Sequence, residues 1–254
     1  VHVAAANDGR MVVRNCEFRD GVMTTANAYS SGCQLDVKEK RASATISDCT
    51  FARNQNRDQA RGCVGFYGNG SNAGDFIVER CAFRDNVCQH SSWYNTDGYF
   101  TSQQFGTCVS LEAQGTTTLV RDCSFVGNVV TNFGGCGASC IVSRSEASKA
   151  VAVNCTFEAN VAIARENLDR SGTWRSVGNA GTINASVSGI GLVNCTFVAN
   201  TNLTDVGGSA AEVFAQATTP CCVLNDILWN DDPDYAPFAR TDGGKLTVGR
   251  TVAK

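Results

Sequence analysis

The sequence predicts an all-β fold, a single-stranded right-handed parallel β-helix of about seven rungs with corner insertions, forming one domain over residues 1–254. Three observations predict it. One strand sequence recurs along the chain, the spacing between its copies is irregular, and no segment carries a convincing helical period.

The recurring unit is x-Asn/Asp-Cys-x-Phe-x-x-Asn. Cys16, Cys49, Cys81, Cys123, Cys155 and Cys195 each stand two residues before Phe18, Phe51, Phe83, Phe125, Phe157 and Phe197. A degenerate copy occupies residues 223–229. The Phe-to-Phe spacings are 33, 32, 42, 32 and 40 residues. Helical repeats of fixed length do not vary this way, whereas coils of short strands accept insertions at their corners. Strand alternation puts Cys and Phe on one face and Asn/Asp with Ser/Thr on the other, so the Cys/Phe face is the buried one. Coil on coil, Phe then stacks on Phe and Cys on Cys. Asn54, Asn86, Asn128, Asn160 and Asn200 follow their Phe by three, where a turn is needed. Asn tolerates the left-handed backbone, and stacked Asn side chains can hydrogen-bond from coil to coil.

A second register precedes most copies: a small-residue corner, then a strand carrying Cys33, Cys63, Cys108, Cys136 and, in the weakest copy, Cys221. Cys88, Cys140 and Cys222 fall outside both series. The best helical candidate, residues 159–169, is short and interrupted by Asn167. Glycine is abundant, at 25, and proline scarce, at 3, as short strands with tight turns require.

Composition narrows the function classes. Hydrophobic residues make up 43% and charged residues 18%, with a net charge of −3, so the chain is foldable and carries no basic stripe for nucleic acid. No apolar run approaches the length of a membrane span. The opening residues 1–4 read as strand and not as a signal peptide, so the expectation is a removed leader or a segment of a longer protein. With no Cys-x-x-Cys and only 2 histidines, neither a zinc site nor any other metal or cofactor is expected. In-register thiols on parallel strands point the same way, which disfavours the disulfide torsion. The main ladder is therefore expected to be mostly free thiols, with Cys88 and Cys140 as the disulfide candidates.

The Phe-x-x-Asn repeats with Gly-Gly-x-Ala-like corners, as at Gly134-Gly135-Cys136-Gly137-Ala138, resemble the repeats of the chlamydial polymorphic outer membrane proteins. More broadly the chain is similar to the pectin-lyase-like right-handed β-helix superfamily, from Val3 to about Trp229 with a final strand over residues 245–252. That fold hosts lyases, hydrolases, adhesins and structural proteins. The resemblance to polygalacturonases would place catalysis at Asn95-Thr96-Asp97-Gly98, but the Gly-His-Gly and Arg-x-Lys motifs of those enzymes are missing. Pectate-lyase-like chemistry would need clustered carboxylates. The outward positions beside the Cys ladder are Glu17, Thr50, Ala82, Ser124, Thr156 and Thr196, a single acid among them. Asp231-Asp232-Pro233-Asp234 reads as a solvated turn.

Two insertions, about 87–106 and 161–178, leave the same corner. Trp93, Tyr94 and Tyr99 in the first, with Trp174 and Arg175 in the second, are candidates for a protein or sugar-binding surface; equally, the insertions can fold back over the core edge. Asn69, Asn154, Asn184, Asn194 and Asn202 head N-glycosylation sequons. A β-helix leaves strand edges at its ends, and pairing of one end with the next copy is a heterologous contact that builds filaments. The expectation is a non-catalytic extracellular or cell-surface structural or adhesive protein, a glycosylated filament subunit that self-associates end to end. The alternatives are a polysaccharide lyase or glycoside hydrolase, and a carbohydrate-binding surface protein that holds glycans through the corner insertions.

Overall fold

A computed structural model describes residues 9–25, 35–38, 43–58, 62–67, 74–89, 105–111, 117–133, 136–143, 149–168, 175–177, 179–185, 189–204, 210–215, 220–232, 234–240 and 245–254. These residues form an all-β parallel solenoid of four sheets. Sheet 1 stacks Arg10–Arg14, Ser43–Ser47, Phe76–Glu79, Thr117–Arg121, Lys149–Val153, Ile190–Val193, Cys221–Leu224 and Leu246–Gly249. Sheet 2 stacks Glu17–Arg19, Thr50–Ala52, Ala82–Arg84, Ser124–Val126, Thr156–Glu158, Thr196–Val198, Ile227–Trp229 and Val252–Ala253. Sheet 3 runs from Val22–Thr25 through Gln55–Asp58, Val87–Gln89 and Val129–Phe133 to Val161–Leu168, which also pairs with Thr201–Thr204. Sheet 4 runs from Leu35–Lys38 through Val64–Tyr67, Val109–Leu111, Cys136–Ser143, Asn179–Ala185 and Ala210–Ala215 to Phe238–Arg240.

Single left-handed residues make the first two corners. Between sheets 1 and 2 they are Asn15, Asp48, Arg80, Asp122, Asn154, Asn194, Asn225 and Arg250; between sheets 2 and 3 they are Asp20, Arg53, Asp85, Gly127, Ala159 and Ala199. The non-glycine members share φ values from 50° to 60°. One such residue redirects the chain without lengthening the loop, and coil stacking offsets its cost of about 1–2 kcal/mol. The second set corrects the sequence expectation. The left-handed residue is the one before the conserved-spacing Asn, and the Asn itself turns inward.

The main core lies between sheets 1, 2 and 4. Phe18, Phe51, Phe83, Phe125, Phe157 and Phe197 stack face to face, with centroids 4.5–4.9 Å apart and planes within 11°. That spacing is the distance between hydrogen-bonded strands, so strict register dictates the stacking. Leu228 and Ala253 continue the same column in the last coils. A second, smaller core of Cys88, Val130, Ala162 and Ala164 belongs to sheet 3. Sheet 4 has two buried faces. Ile183, Ala185, Val213 and Ala215 enter the main core, so their neighbours Thr182, Asn184, Glu212 and Phe214 turn toward sheet 3.

The absence of a helical period holds at its weakest point: Val161–Leu168 is a strand, because its apolar residues alternate and stack on Val129–Phe133. Four expectations do need correction, the first in the bounds of the insertion that follows this strand. The strand ends in an antiparallel hairpin with Arg175–Val177, so this insertion begins beyond it. Among the described residues the second cysteine series is Cys63, Cys108 and Cys140, aligned by the pairings of Val64, Val109 and Ile141; Cys136 stands four residues before Cys140 on the same strand, and Cys33 lies outside the described residues. Cys221 belongs to sheet 1, opposite Leu246. The expected final strand over 245–252 is two strands, broken by the left-handed corner at Arg250.

Candidate functional surfaces and buried polar columns

The Asn column is a closed hydrogen-bond circuit. The Asn128 amide donates from Nδ2 to Phe83 O (3.0 Å) and to Asn160 Oδ1 (2.9 Å). Its Oδ1 accepts from the backbone N–H of Asn86 (3.1 Å) and from Asn86 Nδ2 (2.9 Å). Asn54, Asn86 and Asn160 repeat the pattern, and Asn200 donates to Phe157 O. Each amide thus satisfies the backbone that the corner frees from sheet pairing. Asn supplies one acceptor and two donors at the right reach, and Ser or Thr does not.

The Cys column is buried except at its first member. Cys49, Cys81, Cys123, Cys155 and Cys195 are buried and Cys16 is exposed. Each buried thiol donates to backbone carbonyls, as Cys49 does to Ser47 O at 3.1 Å and Cys155 to Val153 O at 3.3 Å. Burial pushes the Cys49 thiol up to about 11. Cys140, an expected disulfide candidate together with Cys88, carries a free thiol, as do the members of the Cys column. Cys88 and Cys140 are both buried, and Cys140 completes the second thiol column beside Cys108. Burial pushes Cys88 up to about 12. These thiols act as small apolar fillers.

Outside, polar groups pair along the helix axis. Arg53 grips Asp20 with two bonds (2.7 and 2.9 Å) and Arg80 grips Asp48 likewise (2.8 and 2.9 Å). Those guanidiniums hold the Asp20 and Asp48 carboxyls below their ordinary values. Arg121 and then Arg80 do the same for Glu79. Further along the corner, Asn154 Nδ2 donates to Asp122 Oδ1 (3.2 Å), Asn194 Nδ2 to Asn154 Oδ1 (3.4 Å) and Asn225 Nδ2 to Asn194 Oδ1 (2.5 Å). Two of the sequon residues, Asn154 and Asn194, are therefore exposed and adjacent on one ladder. Asn202 is partly buried, and Asn184 is fully buried, which takes it off the surface. The carboxylates Asp231, Asp232 and Asp234 are exposed, with Asp234 N–H donating to Asp232 Oδ1 (2.9 Å) and Lys254 reaching Asp231 (3.3 Å).

Two buried acids escaped the sequence analysis. Asp226 occupies the Cys position of the degenerate copy, below Cys195, whose backbone N–H donates to its Oδ1 (2.7 Å); Oδ2 has no partner. Burial pushes its carboxyl up to about 6. Glu212 is wholly buried between sheets 3 and 4 among the polar groups of Thr182, Tyr235, Asn200 and Asn202, though none makes a fully formed hydrogen bond to either carboxyl oxygen. Burial pushes it up to about 7. Both signals were legible: Asp226 by alignment with the repeat, Glu212 as a lone charge in Ala210-Ala211-Glu212-Val213-Phe214.

Trp93, Tyr94, Tyr99, Trp174, Asn69 and the Asn95-Thr96-Asp97 tripeptide lie outside the described residues. Arg175 opens the hairpin strand. Among the described residues, no three His, Cys, Asp or Glu side chains are grouped as a metal site requires, and no helix is long and apolar enough to cross a membrane. No protein-family model and no curated protein matches the chain.

Proposed function

We propose that this chain is a non-catalytic structural or adhesive β-helix of the cell surface or extracellular medium, a scaffold that stacks end to end with further copies. The observation that carries this reading is the arrangement of the outward polar groups. Arg53–Asp20, Arg80–Asp48 and the Asp122–Asn154–Asn194–Asn225 series engage the equivalent position of the next coil. Such groups run along the axis and do not converge on one point, as an acid, a base and a bound substrate must. A repeat of this kind suits a wall of arbitrary length. The pectin-lyase-like and chlamydial resemblance, with adhesins and structural proteins among its functions, supports the same reading by analogy alone. Glycans on exposed Asn154 or Asn194 would coat one corner of that wall. Incubation of the purified protein with pectin and with alginate tests the reading: no chain cleavage is expected. Cleavage that is lost on Asp97→Asn would overturn it in favour of the enzymes of the superfamily.

A further inference from the structure

We infer that the C-terminal coils form a proton-responsive unit, in which the two thiol columns of the solenoid each end in a buried carboxyl, so that proton release from Glu212 and Asp226 loosens those coils while the rest stays closed. The geometry comes from register. Cys16, Cys49, Cys81, Cys123, Cys155 and Cys195 stack in one column, and the next position is Asp226. Cys63, Cys108 and Cys140 stack in the other, followed by Thr182 and then Glu212. Two independent columns therefore exchange a small neutral filler for an acid within the same stretch, residues 210–228.

Neither acid has a cationic partner among the described residues. Around Glu212, the adjacent strand of sheet 4 offers Thr182, sheet 3 offers Asn202, the inner corner offers Asn200, and the turn before the last strand of sheet 4 offers Tyr235, the one ionisable group. Arg240, on that last strand, pairs with Ala215 and is exposed. Around Asp226 stand the thiols of Cys195 and Cys155 and the hydroxyl of Thr251; Arg250 is exposed at its corner. Several polar atoms of this region share the unpartnered state: Glu212 Oε1 and Oε2, Asp226 Oδ2, Asn202 Nδ2, Thr204 Oγ1 and Tyr235 OH. A protonated carboxyl is tolerable there. A carboxylate, with no counter-charge and no complete set of donors, is not. Ionisation is relieved when water enters, and water enters by separating sheet 3 from sheet 4 or by opening the last coils. Among the described residues of the middle coils the equivalent columns are thiols and amides, and the buried acid there, Glu79, is held by Arg80 and Arg121.

Hydrogen exchange by mass spectrometry on the full chain tests this, at pH 5.5 and pH 8 with intrinsic rates corrected. Peptides over residues 210–232 are expected to lose protection about tenfold or more at pH 8 while those over 78–89 and 120–131 hold theirs, and Glu212→Gln with Asp226→Asn is expected to remove the difference. Uniform behaviour along the chain, or a difference that persists in the double variant, would overturn the inference. If the double variant does not fold, carboxyl-carbon NMR titration of the unaltered protein decides: two carboxyls titrating above pH 5.5 support it, and complete ionisation of all carboxyls below pH 5 refutes it.

Discussion

The middle coils and the C-terminal coils share one backbone and differ in what fills it. In the middle, Phe51, Phe83, Phe125 and Phe157 stack, Asn54 to Asn160 close a hydrogen-bond circuit, and thiols fill the remaining column. In the last coils Leu228 and Ala253 replace Phe, Asp226 and Thr251 replace Cys, and Asn230 makes a partly exposed bond to Asn200 O (2.6 Å). Apolar side chains also surface there, with Ile227 48% and Val252 59% exposed. The left-handed corners at Asn225 and Arg250 nevertheless persist. Coil geometry is therefore held by the corners and the strand pairing, and the ladders supply stability on top of it.

The sharpest way to break this contrast is at the amides. Asn128→Ala strands the Asn86 amide and backbone N–H inside the protein and is expected to cost about 4 kcal/mol in denaturant unfolding. The same change at half-buried Asn230 is expected to cost about 1 kcal/mol. Equal losses would mean that the circuit is not special to the middle.

The next effect is on pH dependence. The Glu212 carboxyl is raised from its ordinary value to about 7, so the unfolded chain binds fewer protons there than the folded one. Its contribution is fully present below the ordinary carboxyl range and is lost as pH rises toward about 7, a swing on the order of 3 kcal/mol. Glu212→Gln is expected to flatten unfolding free energy between pH 5 and pH 8, and an unchanged slope would contradict the assignment. Asp226→Cys, which extends the thiol column, is expected to stabilise the last coils at pH 8 with no gain at pH 5.

Phe125→Leu, which imports the residue of the C-terminal column, is expected to cost about 1–2 kcal/mol through the gap it leaves in a continuous stack. The smallest effect is outside. Arg53→Ala removes an exposed pair and is expected to leave the thermal midpoint unresolved from that of the parent.

Much of this was legible in the sequence, because strict register writes the core as a repeat. The six Phe and their cysteines could be stacked from spacing alone. The Asn ladder was legible as a stack but not in its role: a side chain turned inward to serve the backbone and one that makes the turn look alike in sequence. The left-handed position has no signature, since Asp20, Arg53, Gly127 and Ala159 all occupy it. Cys140 escaped because Cys136, four residues earlier, directly follows the Gly-Gly corner and so takes its place by composition, whereas strand pairing sets Ile141 opposite Val109. Asp226 and Glu212 were legible as acids, one at the Cys position of the degenerate copy and one alone in an apolar run, but their burial depends on sheets that meet only in the fold.

End-to-end stacking is the central functional claim, and electron microscopy of the purified full chain at neutral pH tests it most directly. Eight strands at the spacing of paired strands make one chain about 40 Å tall. The account predicts rods of constant width whose lengths are multiples of that unit. Single particles of one unit at every concentration would contradict it.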